Sequence, residues 1–119
     1  MYRLDLKIRL HNGSDIALGP GKADLLEAIQ QHGSISAAAR ALGMSYRRAW
    51  LLVETMNRSF HQPLVSALAG GKHGGGTQLT ATGEQVLQRY RALCARALAA
   101  VQDDCAELAA LFAETAGEG

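Results

Sequence analysis

Residues 33–50 read Gly33-Ser34-Ile35-Ser36-Ala37-Ala38-Ala39-Arg40-Ala41-Leu42-Gly43-Met44-Ser45-Tyr46-Arg47-Arg48-Ala49-Trp50. Ser34-Ile35-Ser36 opens a very short helix from Ala37 to Leu42, and Gly43 stops it. Ser45 then caps a longer helix reaching to about Ser59, with Pro63 closing the region. A short helix, a tight glycine turn and a longer helix make a helix-turn-helix. Ala38 and Ala39 are small where two helices must cross closely, and Leu42, Met44, Ala49, Val53, Met56 and Phe60 supply the apolar face of the crossing. The face left over on the longer helix carries Tyr46, Arg47, Trp50 and Glu54.

On the N-terminal side, Lys22 to Gln31 has helical apolar spacing through Ala23, Leu26 and Ile29, and Gly33 suits its C-terminal stop. Before it, Leu4, Leu6, Ile8 and Leu10 alternate with Asp5, Lys7, Arg9 and His11, the pattern of a strand with one buried face. Asn12-Gly13 predicts a hairpin turn, and Ile16 and Leu18 a short return strand. On the C-terminal side, residues 64–68 and 77–80 read as paired strands around the glycine-rich segment 70–76, which carries Lys72 and His73. So side-chain-poor a tip allows close approach to a partner, as a wing requires. The segment lacks the GxxxxGK[ST] spacing of a phosphate-binding P-loop.

Thr82 is expected to cap a final helix from about Gly83 to Ala113. Leu87, Cys94, Val101 and Leu108 recur seven apart in it, and Leu98, Cys105 and Phe112 form a second series offset by four. A helix of that length runs to roughly 45 Å. It outreaches what so small a domain can cover, so the stripe predicts a dimer interface. Three parts follow: a winged helix-turn-helix domain over 1–81, a long dimerisation helix over 82–116 and a flexible tail over 117–119. The fold class expected is mostly α with small β elements.

Charge divides along the chain. Residues 1–96 hold all twelve Lys and Arg against six acids, a balance of +6, while residues 97–119 hold five acids and no base. A basic body suits attraction to phosphate, and an acidic tail suits a solvated helix. Aromatic residues are 5% of the chain, too few for a stacking platform that would take single strands. No apolar run approaches the roughly 20 residues of a membrane span, and residues 1–7 lack a signal-peptide core, so a cytoplasmic location is expected. Cys94 and Cys105 have no CxxC spacing, and His11, His32, His61 and His73 are scattered, so neither a metal nor another cofactor is expected. No nucleophile elbow, carboxylate pair or nucleotide fingerprint points to an enzyme.

The 33–50 stretch resembles the N-terminal DNA-binding domain of ModE-type molybdate-responsive regulators, a branch of the LysR-like winged helices. The resemblance extends to Met56-Asn57, Pro63-Leu64-Val65, Gly70-Gly71-Lys72 with Gly74-Gly75-Gly76, and Leu79-Thr80-Ala81-Thr82-Gly83, covering roughly residues 4–95 in order. It implies a domain paired through its last long helix, with the third helix in the major groove and the wing on the adjacent backbone. Carried over by position, Tyr46, Arg47 and Trp50 sit at or near the DNA face and Lys72 at the wing tip. Family members also carry β-barrel domains that bind molybdate or tungstate. The 119 residues leave no room for these, so molybdate binding is not expected. Leu51 stands where the family often has an acid, and Ala67 and Ala69 replace polar wing-strand residues.

The function expected is a sequence-specific transcriptional regulator that binds double-stranded DNA as a homodimer. Its recognition helix spans about 45–59 and its wing about 70–76. Ser34, Ser36 and Ser45 would present helix N-termini to phosphate, alongside Lys72 and His73. Arg47 is the favoured base reader, with Arg48 reaching phosphate; Arg40 or Arg58 could add peripheral contacts, and the Trp50 ring either packs at the helix crossing or lies against sugar or a thymine methyl. The alternatives are a winged-helix module for protein partners and a redox-responsive regulator using Cys94 and Cys105.

Overall fold

A computed structural model describes residues 1–68 and 76–114. In chain order it has strands β1 (Leu10–Asn12) and β2 (Asp15–Leu18), helices α1 (Pro20–His32), α2 (Ile35–Leu42) and α3 (Tyr46–Ser59), strands β3 (Val65–Ala67) and β4 (Thr77–Leu79), and helices α4 (Ala81–Ala100) and α5 (Gln102–Ala109). Each strand pair is antiparallel and forms its own two-stranded sheet. The predicted class holds: a winged helix-turn-helix, mostly helical.

The helix ends follow the residues that predicted them. Gly33 and Gly43 end α1 and α2 with left-handed φ of 78° and 70°. A side chain there would be strained, since L-residues rarely tolerate positive φ. The Ser34 hydroxyl accepts from the Ala37 N–H at 3.0 Å, and Ser45 does the same for the Arg48 N–H at 3.0 Å. Ala23, Leu25, Leu26, Ala28 and Ile29 of α1 pack against Ala38 and Ala39 of α2 and Ala49, Val53 and Met56 of α3, with Leu64, Val65, Leu79, Leu87 and Tyr90 closing the core. Leu42 is the exception on the predicted crossing face and remains exposed.

Four expectations need correction. The 4–10 strand contributes only Leu10 to a ladder, because its partner β2 is four residues long and ends at Leu18, opposite Leu10. Leu6 and Leu10 are exposed, and residues 4–9 lie outside any strand. The turn is Gly13-Ser14, with Gly13 at φ 63° and Asn12 kept in the ladder opposite Asp15. Asn12 instead donates from Nδ2 to the Ser59 carbonyl at 2.9 Å, fastening the hairpin to the end of α3. The last helix starts at Ala81, capped by Thr80 and not Thr82: the Thr80 hydroxyl accepts from the Gly83 N–H at 2.9 Å and donates to the Pro63 carbonyl at 2.6 Å. That helix is also not continuous. Val101, at φ −106° and ψ 5°, separates α4 from α5, and Asp103 and Asp104 fall in the first turn of α5, where a helix N-terminus favours acids.

Candidate nucleic-acid interface

The β3–β4 hairpin is tied to the helix-turn-helix at both ends. The Thr77 N–H donates to the Gly33 carbonyl at 2.8 Å, setting the start of β4 on the α1–α2 turn. At the other end, Asn57 Oδ1 accepts from the N–H groups of Leu64 at 2.8 Å and Val65 at 3.1 Å, while its Nδ2 donates to the Val65 carbonyl at 3.1 Å. One side chain thereby fixes where the chain leaves α3 and enters β3. The wing tip, with Lys72 and His73, lies outside the described residues.

At about 100° per residue, the buried side of α3, marked by Ala49, Val53 and Met56, sets Arg47, Leu51, Glu54 and Arg58 furthest from the core. Tyr46 and Trp50 stand on one flank, 56% and 43% exposed, and Arg48 stands on the other. Trp50 is therefore not a core residue at the helix crossing. Arg47 and Arg48 are exposed, and with Ser45, Leu51 and Leu52 they border one shallow hollow of about 240 Å³. The structure thus brings Ser45, Tyr46, Arg47, Arg48 and Trp50 together at the start of α3.

Other sequence candidates stand apart from that group. Ser36 is exposed on α2 and accepts from the Arg40 guanidinium at 3.4 Å. Arg58 is engaged elsewhere: its guanidinium forms paired bonds of 3.0 and 3.1 Å to Asp15, whose carboxyl it holds below the usual range. Three cations escaped sequence reading, namely Lys7, Arg9 and Lys22. They border a second hollow together with Arg48, and their separation along the chain left no local pattern to find.

The proposed dimer stripe divides at Cys94. Leu87, placed on the stripe by its spacing, is 7% exposed and lies in the domain's own core, so it does not extend the outward face. Cys94 packs against that core and is half-buried, as is Cys105. Further along, Leu98, Leu108 and Phe112 are exposed, Val101 is half-buried, and α5 buries none of its residues. Among the described residues no helix is long and apolar enough to cross a membrane, and no group of His, Cys, Asp or Glu is set to hold a metal.

Comparison with known proteins matches residues 22–84 to the family described as "Bacterial regulatory helix-turn-helix protein, lysR family". The chain belongs to this family. The chain is also 48% identical over 77 residues to the molybdenum transport protein ModE of Azotobacter vinelandii, covering 65% of this chain and 28% of that protein. It is 40% identical over 102 residues to the transcriptional regulator ModE of Haemophilus influenzae, covering 83% of this chain and 40% of that one. This lysR-family chain therefore spans well under half the length of these relatives. Among solved structures, the CbnR_DBD–DNA complex superposes with a TM-score of 0.54 at 23% identity, covering 76% of this chain and 95% of that one, which establishes the shared fold.

Proposed function

We propose that the chain binds double-stranded DNA in a sequence-specific manner as a homodimer and regulates transcription, without enzymatic activity and in the cytoplasm, where its target lies. The observation that carries this reading is the start of α3: Arg47 projects from the side opposite the core, flanked by the half-exposed rings of Tyr46 and Trp50 and by Arg48. An arginine so placed on a helix narrow enough for the major groove can donate both guanidinium arms to a guanine edge. Relatives named as transcriptional regulators and the fold shared with a DNA complex support the same reading. In this reading Ser34, Ser36 and Ser45 turn helix N-termini toward phosphates, and Lys72 and His73 add contacts from the wing.

The homodimer rests on the apolar line through Leu98, Val101, Cys105, Leu108 and Phe112, of which Leu98, Leu108 and Phe112 are exposed and Val101 and Cys105 half-buried among the described residues. Two recognition helices related by a two-fold axis would read a palindrome with half-sites about one turn, roughly 34 Å, apart or a multiple of it. Selection of bound duplexes from a random pool, with wild type and Arg47→Ala in parallel, tests the proposal. The wild type should enrich a palindromic site, and the variant should lose roughly 10- to 100-fold in preference for it, the equivalent of about 1–3 kcal/mol per bidentate contact. Enrichment of the same site by both proteins would remove Arg47 from the reading surface. No enrichment by the wild type would sink sequence-specific binding.

A further inference from the structure

Beside the start of α3 lies a hollow of about 300 Å³, bordered by Lys7 and Arg9 of the N-terminal segment, Lys22 of α1 and Arg48 of α3, with Ile16 and Leu52 supplying apolar wall. No acid lines it. Among the described residues none of the four cations is in an ion pair: Asp5 is held by Arg3, Asp15 by Arg58, and Asp24 and Glu27 by Arg91. Like charges gathered from three separate segments repel one another, so an arrangement that holds them around one space leaves a strongly positive site awaiting a counter-charge. Burial first, and then the neighbouring Arg48, push the Lys22 ammonium below its ordinary pKa, with Asp15 acting partly against them. Gly19 and Pro20 also belong to the rim. The N-cap Gly19 has no side chain to occupy the first-turn N–H groups of α1, so those of Gly21 and Lys22 add donors.

We propose that this hollow is a phosphate-binding site and that the phosphate it takes belongs to the backbone of the duplex read by α3. The backbone is favoured as the source because Arg48 borders both this hollow and the one shared with Ser45 and Arg47, making the two surfaces continuous. This assignment of source rests on the proposed function, whereas the phosphate chemistry of the hollow does not. In consequence the DNA-binding surface reaches past the helix-turn-helix to the N-terminal segment, with Lys7 and Arg9 gripping the strand outside the base-reading contacts.

The test uses the full chain as wild type, Lys22→Gln, Arg9→Gln and Lys7→Gln, with melting curves to verify folding. Equilibrium binding to a selected duplex and to a random one is measured across a salt series. Each variant should bind both duplexes more weakly to a similar degree, and the slope of log affinity against log salt should fall by about 1 for each lost phosphate contact. Unchanged slopes in all three folded variants, with the wild type binding, would overturn the backbone assignment. In parallel, inorganic phosphate and pyrophosphate are titrated into each protein without DNA while backbone amide resonances are followed. Saturable shifts at Gly21 and Lys22 in the wild type, lost in Lys22→Gln, support the phosphate site. Seen together with unchanged slopes, they would assign it to a free phosphate and refute the backbone source. No shift and no slope change would sink the proposal. A wild type that binds no duplex would sink the proposed function instead, leaving the phosphate titration to decide the hollow.

Discussion

Asn57 closes three hydrogen bonds at the exit from α3, two as acceptor from the Leu64 and Val65 N–H groups and one as donor to the Val65 carbonyl. Removing it leaves part-buried backbone donors without a partner, each costing about 1–3 kcal/mol. Asn57→Ala should therefore lower unfolding free energy by about 3 kcal/mol in denaturant titration, and Asn57→Asp, which keeps the acceptor, should lose less. Tyr90 is a second residue of this kind. Its hydroxyl donates to the Ile8 carbonyl at 2.7 Å, and burial, with the Cys94 thiol beside it, pushes the phenol up to about 12 from an ordinary 10.0. A raised phenol pKa means the folded chain holds the proton more tightly than the unfolded one. The stabilisation is then complete below pH 10 and lost as pH rises from 10 to about 12. Tyr90→Phe should be less stable than wild type by about 1 kcal/mol near neutrality, and melting curves should show that gap narrowing across the alkaline window. A gap that stays constant with pH would dissociate the hydroxyl from the effect.

Elements were legible where a residue's chemistry acts on its own neighbours. Ser34 and Ser45 cap from three residues away, and Gly33 and Gly43 stop helices by their own φ, so α1, α2 and α3 could be placed from the sequence. Legibility failed where a distant partner decides the outcome. The alternation over 4–10 is real, but a strand exists only if another lies beside it, and no local pattern reports that absence. The break at Val101 carries neither glycine nor proline to mark it. The hollow with Lys7, Arg9, Lys22 and Arg48 is assembled by the fold from separate segments, whereas Tyr46, Arg47 and Trp50 could be found because they share one turn of one helix. Element packing yields a paired prediction on two glycines. A Cβ on Gly83 would land on the Leu64 carbonyl, which already accepts the Thr80 N–H at 2.9 Å, so α4 could not stay against the entry to β3. A Cβ on Gly21 meets nothing within 4 Å in the first turn of α1. Gly83→Ala should cost about 3 kcal/mol by overpacking, and Gly21→Ala should be neutral or gain roughly 0.5 kcal/mol by restricting the unfolded chain. Calorimetric melting of the two variants checks both signs.

At the scale of the whole molecule, extents of 60 × 33 × 23 Å describe a body with a rod attached. The body has a core to which α1, α2, α3 and the start of α4 contribute, whereas α5 contributes no buried residue. An apolar line left in water costs about 25 cal/mol for each Å² it fails to bury, and Leu108 and Phe112 are 62% and 64% exposed. Pairing with the same line on a second copy would recover that term. It would also bring together two acidic ends, whose Asp103, Asp104 and Glu107 gain by remaining at the solvated edge. Because these side chains touch little of their own domain, their replacement should leave the body folded. Leu108→Glu combined with Phe112→Glu is therefore expected to turn a dimer into a monomer in sedimentation velocity, with a melting transition of the body close to that of wild type at matched concentration. The double variant should also bind a palindromic duplex at least tenfold more weakly, since the second half-site would no longer be delivered at high effective concentration. A double variant that still sediments as the dimer would place the interface elsewhere. One that is monomeric yet binds the palindrome as tightly as wild type would uncouple pairing from recognition.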